Sequence, residues 1–319
     1  QAHDIIRTWL FATVVRAHHE HGTVPWRNAA ISGWILDPDR KKMSKSKGNA
    51  ETPEDVVKAH GADAVRYWAA SGRLGTDAAY DTGQMKVGRR LAIKVLNASK
   101  FALGFGDVEG DLRAAVTNPL DLSMLSALAE VVEKSTHGFE AWDYTRSLEV
   151  TETFFWTFCD DYLELVKDRA YGGQGDAEAA SARAALRIAL ETLLRLLAPF
   201  IPYATEEVWS WFGAGSVHRQ TWPTADELPS GGDAALLGSV GEALAGVRKV
   251  KSEAKLGMRA EVRTMTLVGL AEQLEHVRSA EGDLKASGRI TELLYEDGDG
   301  IEVRDAELIP VEKGATTPA

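Results

Sequence analysis

Lys41-Lys42-Met43-Ser44-Lys45-Ser46-Lys47-Gly48-Asn49 sets four lysines and two hydroxyls within its first seven residues. Upstream, Ala29 to Leu36 is short, apolar and bounded by turn residues, the pattern of a buried strand, and Asp37, Pro38 and Asp39 turn the chain into the basic run. Downstream, Thr52 suits a helix cap and Pro53 the first helical position. Asp55 completes a capping-box-like pair near the positive helix end. The order is therefore strand, basic loop, capped helix. Ser44, Ser46 and Gly48 are small enough for the backbone to approach a ligand, and the lysines supply mobile positive charge. Such a loop suits a polyphosphate whose charge grows in the transition state, where preorganised cations act mainly on rate. Taken alone, the lysines also read as a solvated basic loop or an import-like patch.

Working outward, residues 2–21 predict one helix with Ile5, Ile6, Trp9, Leu10, Thr13 and Val14 at helical spacing, closed by Gly22. The helix begun at Thr52 stops at Gly61, and another runs from about Asp63 to Ser71. This alternation is that of an α/β domain. From Gln84 to Phe212 long helices follow, near 84–106, 121–139, 143–171, 176–198 and 205–212. Pro199 and Pro202 interrupt the last two, and Thr205 with Glu206 and Glu207 restarts the chain as helix. That run is a helical bundle. Trp222 to Asp233 reads as a linker. The tail predicts a helix at about 234–256, a strand at 259–268, a helix at 270–280 and two short strands ending near Arg304; Lys313 to Ala319 look frayed. The fold expected is mostly α: an α/β end of a Rossmann-like domain over 1–80, a helical bundle over 81–228, and a small α/β tail over 229–319.

With 45% apolar and 26% charged residues the chain can bury a sizeable core, and no stretch is long and apolar enough to span a membrane. The N-terminus opens directly in an amphipathic pattern, as a chain entered mid-domain. Cys159 is the only cysteine, which allows no internal disulfide and no cysteine-based zinc site; no metal site is expected, and a reducing cytoplasm is the simplest setting. The net charge of −11 opposes indiscriminate nucleic-acid binding. Its distribution is uneven. Residues 1–110 carry 16 Lys and Arg against 12 Asp and Glu, whereas residues 111–231 carry 9 against 19, so a phosphate partner would meet local basic stripes.

Two such stripes stand out. On the first long helix Lys86, Arg89, Arg90, Lys94 and Lys100 fall within an arc of roughly 140°, beside an apolar stripe of Val87, Leu91, Val95, Ala98, Ala102 and Phe105. In the tail Arg248, Lys251, Lys255 and Arg259 share an arc of about 80°. Contact with an RNA backbone and a merely solvated face are the two readings of both. On the opening helix Asp4 and Trp9 stand about 140° apart, placed to flank a small ligand, or to serve as a first-turn dipole residue and a core aromatic.

Lys42-Met43-Ser44-Lys45-Ser46 resembles, letter for letter, the K-M-S-K-S signature of class I aminoacyl-tRNA synthetases. The flanks Glu54-Asp55-Val56-Val57 and His60-Gly61-Ala62-Asp63-Ala64-Val65-Arg66-Tyr67 are similar to the segment after that loop in the valyl, isoleucyl and leucyl branches. The resemblance implies a loop that closes over ATP, with its Mg2+, during amino-acid activation. Lys45 would stabilise the leaving pyrophosphate, Lys42 would assist, and Met43, Ser44 and Ser46 would shape the ATP site. His3-Asp4-Ile5-Ile6-Arg7-Thr8-Trp9 resembles the valyl segment in which an Asp holds the valine ammonium and a Trp walls the side chain, roles that fall on Asp4 and Trp9; His3 and Arg7-Thr8 resemble the archaeal-type branch. Ala198-Pro199-Phe200-Ile201-Pro202-Tyr203-Ala204-Thr205-Glu206-Glu207-Val208-Trp209 and Asn97-Ala98-Ser99-Lys100-Phe101 resemble parts of the valyl anticodon-binding bundle. The expectation is a valine–tRNA ligase segment with tRNA(Val), valine and ATP as partners. An isoleucyl segment, or a tRNA-binding paralogue without ligase activity, are the alternatives.

Overall fold

A computed structural model describes residues 2–44, 48–49, 52–106 and 110–310. The chain opens as one helical path, but not as one α-helix. His3–Ile5 winds as a 3-10 turn, Ile6–Leu10 as a π turn, and α1 spans Phe11–His21. Gly22 closes it at φ 67°, donating to the His18 carbonyl at 2.9 Å, as a left-handed cap requires. The expected apolar stripe is packed only in part, since Ile5, Leu10, Thr13 and Val14 are half-buried while Ile6 is 43% and Trp9 59% exposed.

The strand expected from Ala29 shortens to β1, Ile35–Leu36, paired in parallel with β2, Ala78–Ala79. A strand extends only as far as its partner. Just upstream, the Trp34 N–H donates to the Asp77 carboxylate at 2.7 Å and the Ile31 carbonyl accepts from Gly75, so side-chain and turn bonds replace a ladder.

α2, Pro53–His60, starts as expected: the Thr52 hydroxyl accepts from the Asp55 N–H at 3.3 Å and Pro53 holds the first turn. Gly61, at φ 91°, ends α2 and leads into α3, Ala62–Ala70. Val56, Ala64 and Met85 form a core cluster under Val65, Trp68 and Tyr80. α4 spans Thr82–Leu103. Its packed stripe is Met85, Leu91, Val95, Ala98 and Ala102, with Val87 and Phe105 only half-buried, so the stripe is rotated toward Met85 relative to expectation. A Cβ on Gly88 would stand 2.5 Å from the Tyr67 Cβ, so α3 and α4 cross at a distance that only glycine permits.

α5, Leu112–Ala115, is a single turn, and the long helices follow: α6 over Pro119–Glu140, α7 over Tyr144–Thr157, α8 over Leu163–Ala170 and α9 over Asp176–Leu197. The helix expected over 143–171 is α7 and α8 joined by a π turn at Phe158–Tyr162, which buries Phe158, Cys159 and Tyr162. α10, Pro202–Trp209, corrects the reading of Pro202 as an interruption. Proline occupies the first turn, where its missing N–H is not needed, so the helix starts ahead of Thr205.

The tail is built from α11, Ala234–Glu253, then β3, Glu261–Gly269, α12, Ala271–Ser279, α13, Glu281–Gly288, β4, Ile290–Asp297, and β5, Glu302–Ile309. The sheet order is β4-β3-β5, with β4 parallel and β5 antiparallel to β3. The parallel pair needs a crossover, and α12 with α13 supplies it.

By compactness the chain divides into two units, Gln1–Asn97 with Glu133–Thr151 and Leu194–Trp222, and Ala98–Val132 with Glu152–Leu193 and Pro223–Ala319. The second unit buries a charged network. Arg169 is fully buried and holds both oxygens of Asp121 at 2.7 Å while its Nε lies 3.0 Å from Asp283. The Tyr162 hydroxyl and the Ser181 hydroxyl also donate to Asp121, at 2.7 and 2.6 Å, and the Gln174 amide donates to Asp283 at 3.1 Å. Every charge there has a partner, the condition under which buried charge is tolerated. Among the described residues no helix is long and apolar enough to cross a membrane.

Candidate functional site

The basic loop is stapled at its base. The Asp37 carboxylate accepts from the Lys41 N–H at 2.8 Å and from the Asn49 amide at 2.8 Å, and the Asn49 side-chain oxygen accepts from the Ser44 N–H at 2.9 Å. The Met43 N–H reaches the Ile35 carbonyl at 3.3 Å, tying the outgoing arm to β1. Asp37 and Asn49 thus bring the two ends of the loop together. The Lys41 N–H, the Asn49 amide and further local donors hold the Asp37 carboxyl below its ordinary pKa, so it stays a charged acceptor. Arg40, at φ 62°, makes the sharp turn into the loop. Sequence reasoning took Asp37 for a turn residue and Asn49 for context. The missed signal was an Asp and an Asn bracketing a lysine run, two side chains suited to local backbone bonds.

Lys42 and Asp4, assigned separate roles from sequence, meet. The Lys42 ammonium lies 3.5 Å from an Asp4 oxygen and 4.2 Å from the centre of the Trp34 ring, while the Trp34 indole N–H donates to Asp4 at 3.1 Å. His3 packs on the same indole with centroids 4.3 Å apart. The Trp34 bond, followed by the charge of Lys42, draws the Asp4 pKa down against its desolvation. A carboxylate beside an aromatic face is an ammonium site by chemistry, and here it holds one. Trp9 stacks on Trp26 with centroids 5.6 Å apart and planes 8° from parallel, a flat aromatic pair in which Trp9 is exposed and Trp26 half-buried. Trp34 and Trp26 were not singled out from sequence, because both act through side chains distant along the chain. Lys45 and Ser46 lie outside the described residues; Met43 and Ser44 lie on the described arm of the loop.

On α4 Lys86, Arg89, Arg90 and Lys100 are exposed and Lys94 is half-buried. The tail arc is corrected. α11 ends at Glu253, and Lys255 takes a left-handed φ of 57°, so Lys255 and Arg259 do not continue its face. Lys251 is 2% exposed, its ammonium bonded to the Gly288 carbonyl at 2.7 Å and the Met258 carbonyl at 3.2 Å, and burial lowers its pKa. It is a structural lysine that joins α11 to the end of α13. Arg248 pairs with Asp161 at 3.2 Å.

Residues 1–81 match the family described as tRNA synthetases class I (I, L, M and V), and residues 121–266 match the family described as anticodon-binding domain of tRNA ligase. The two matches fall on separate stretches of the chain. The chain is similar to a valine–tRNA ligase of Thermobifida fusca, 60% identical over 98% of this chain and 36% of its own length. Others come from Salinispora tropica, 55% identical over 92% and 36%, and Cutibacterium acnes, 53% identical over 97% and 35%. The chain therefore spans about a third of the length of these curated relatives. All three are bacterial, which corrects the archaeal-type expectation drawn from His3 and Arg7-Thr8. A crystal structure of a ternary complex of Agrobacterium radiobacter K84 agnB2 LeuRS, tRNA and LeuAMS is similar in fold, with a TM-score of 0.52 at 19% identity over 96% of this chain and 31% of that one.

Proposed function

We propose that the chain is the part of a valine–tRNA ligase that supplies the ATP-clamping loop and grips tRNA(Val). The observation that carries this reading is the stapled loop. Asp37 and Asn49 fix its base while its tip carries lysines, in a chain whose relatives are named valine–tRNA ligases. Those names favour valine over the isoleucyl alternative, and a stapled ATP loop has no use in a standalone RNA binder.

In this reading Lys45 neutralises the leaving pyrophosphate as the valine carboxylate attacks the α-phosphate of ATP. Ammonium groups, hydroxyls and backbone N–H groups suit phosphate oxygens, and Mg2+ arrives bound to those phosphates. Lys42 rests on Asp4; turning toward ATP, it frees that carboxylate for the valine ammonium, with Trp9 as a wall of the side-chain pocket. Residues 1–80 complete the catalytic domain, 81–228 form the anticodon-binding bundle and 229–319 the tail. A reducing cytoplasm suits the lone, buried Cys159.

Lys86, Arg89, Arg90 and Lys94 are the phosphate contacts on α4, whereas Arg248 is taken up by Asp161 and Lys255 lies past the end of α11. Replacing Lys86 and Arg89 by Gln is expected to weaken tRNA binding at low salt. The slope of log affinity against log salt should fall by about 0.7 to 0.9 for each lost contact. Stability should move by under about 0.5 kcal/mol, since both side chains are exposed. Titration of labelled tRNA at several salt concentrations measures this, and an unchanged affinity and slope would mark α4 as a solvated face.

A further inference from the structure

Within the first unit, the end of α2, the start of α3, the middle of α4 and the start of α10 enclose an open cleft of about 570 Å³. That volume lies in the ordinary range for small-ligand sites. Its formal charges balance, Lys58 and Arg89 against Asp63 and Glu207, but its acids are engaged by the protein and its guanidinium is not. The Asp63 carboxylate is taken up by the N–H groups of Tyr203 and Ala204, at 3.0 and 2.8 Å, and Glu207 accepts from the Trp211 indole at 3.0 Å. The Arg89 side chain, also lining the cleft, forms no hydrogen bond or ion pair with another described residue, and nor does the His60 ring. Lys58 at the rim pairs with exposed Glu54, at 2.8 Å, a pair that water screens. Beside these groups stand two apolar surfaces left to solvent, the Tyr203 ring, 67% exposed, and Ile93, 49% exposed.

A cleft with one unpaired guanidinium, a screened ammonium, hydrogen-bonded acids and an exposed aromatic plane suits a nucleotide. The anion meets Arg89 and Lys58, and the base lies on Tyr203. We propose that this cleft takes one unstacked nucleotide of the bound tRNA, its base on Tyr203 over Ile93 and its phosphate at Arg89. The inference rests on α4 meeting RNA, as proposed above, and adds that the contact is not to backbone alone. A purely duplex partner would engage Arg89 through phosphates and leave the Tyr203 ring idle.

The test titrates fluorescently labelled tRNA(Val) against the wild-type chain and the variants Tyr203→Leu, Tyr203→Phe and Lys86→Gln/Arg89→Gln over a range of salt. The loss of one base–aromatic stack corresponds to roughly 5- to 100-fold in affinity. Tyr203→Leu should therefore weaken binding by about that factor with an unchanged salt slope, and Tyr203→Phe should keep most of the affinity. The Tyr203 N–H bond to Asp63 is backbone and survives both substitutions, and equal thermal unfolding of the two variants excludes a folding defect. Wild-type affinity in Tyr203→Leu, with a reduced slope in Lys86→Gln/Arg89→Gln, would overturn the nucleotide cleft and leave the backbone contact standing. No change in any variant would overturn both.

Discussion

Replacing Lys45 by alanine in the full-length ligase is expected to slow valyl-adenylate formation by roughly 10²-fold or more, the scale of losing one preorganised transition-state donor. The expectation follows from where the charge develops. Valine attack on ATP pushes charge onto the departing pyrophosphate, and a fixed ammonium there acts on the transition state more than on the bound substrate. Valine affinity should change little, because in the proposed reading Asp4, and not Lys45, takes the valine ammonium. The base of the loop should also stay formed, since Asp37, Asn49, Ser44 and Met43 make their bonds without Lys45. Valine-dependent pyrophosphate exchange measures the rate, and values within about threefold of wild type would contradict the role given to Lys45.

The largest structural effect is expected from Arg169→Met. Burial by itself lowers the Arg169 pKa, but the Asp121 carboxylate bonded to it outweighs that and raises it. Burial raises the Asp283 pKa, and Arg169 is the main force pulling it back. Removing the guanidinium leaves two buried carboxylates facing each other's charge without a cation. Such a loss costs about 3–5 kcal/mol, against a total domain stability of about 5–15 kcal/mol. Urea unfolding should show a much lower midpoint. The triple variant Arg169→Met, Asp121→Asn, Asp283→Asn should recover part of the loss, because it removes the unpaired charges while the Asn oxygens can still accept from Tyr162, Ser181 and Gln174. A loss of under about 1 kcal/mol in Arg169→Met would show that the network does not hold the second unit together.

Local signals in the sequence were legible. Thr52, Pro53, Gly61 and Gly22 mark helix ends because each acts through its own backbone or nearest turn, and all four do so in the structure. The long helices were legible for the same reason, since their periodicity is carried by many residues at once. What escaped depends on partners distant along the chain. The strand at Ile35 is short because β2 is short, and nothing in Ala29 to Leu36 encodes that. α13 was missed because Gly282, Ser287 and Gly288 weaken its pattern, while its anchor, Asp283 on Arg169, lies across the second unit.

The candidate site divides in the same way. The lysine string announced the loop, but the Asp37–Asn49 staple and the meeting of Lys42 with Asp4 over Trp34 required the fold. The error over Lys251 is instructive. Angular arithmetic put it on an exposed arc by extending α11 past its end at Glu253, whereas the chain reverses at Lys255 and buries the Lys251 ammonium on two carbonyls. Long lysine side chains carry enough apolar stem for either outcome, so charge alone does not fix which face a lysine occupies.

If this chain is the tRNA-gripping, ATP-loop part of a valine–tRNA ligase, it must choose among RNAs. Equilibrium titration of the chain against tRNA(Val), and against the same tRNA with its anticodon bases replaced, at one fixed salt concentration, measures that choice. Tighter binding of tRNA(Val) is expected, by a factor of roughly 5 to 100 for each base whose contact is lost. Equal affinity for both RNAs would contradict it, leaving only backbone attraction of the kind that any basic face provides.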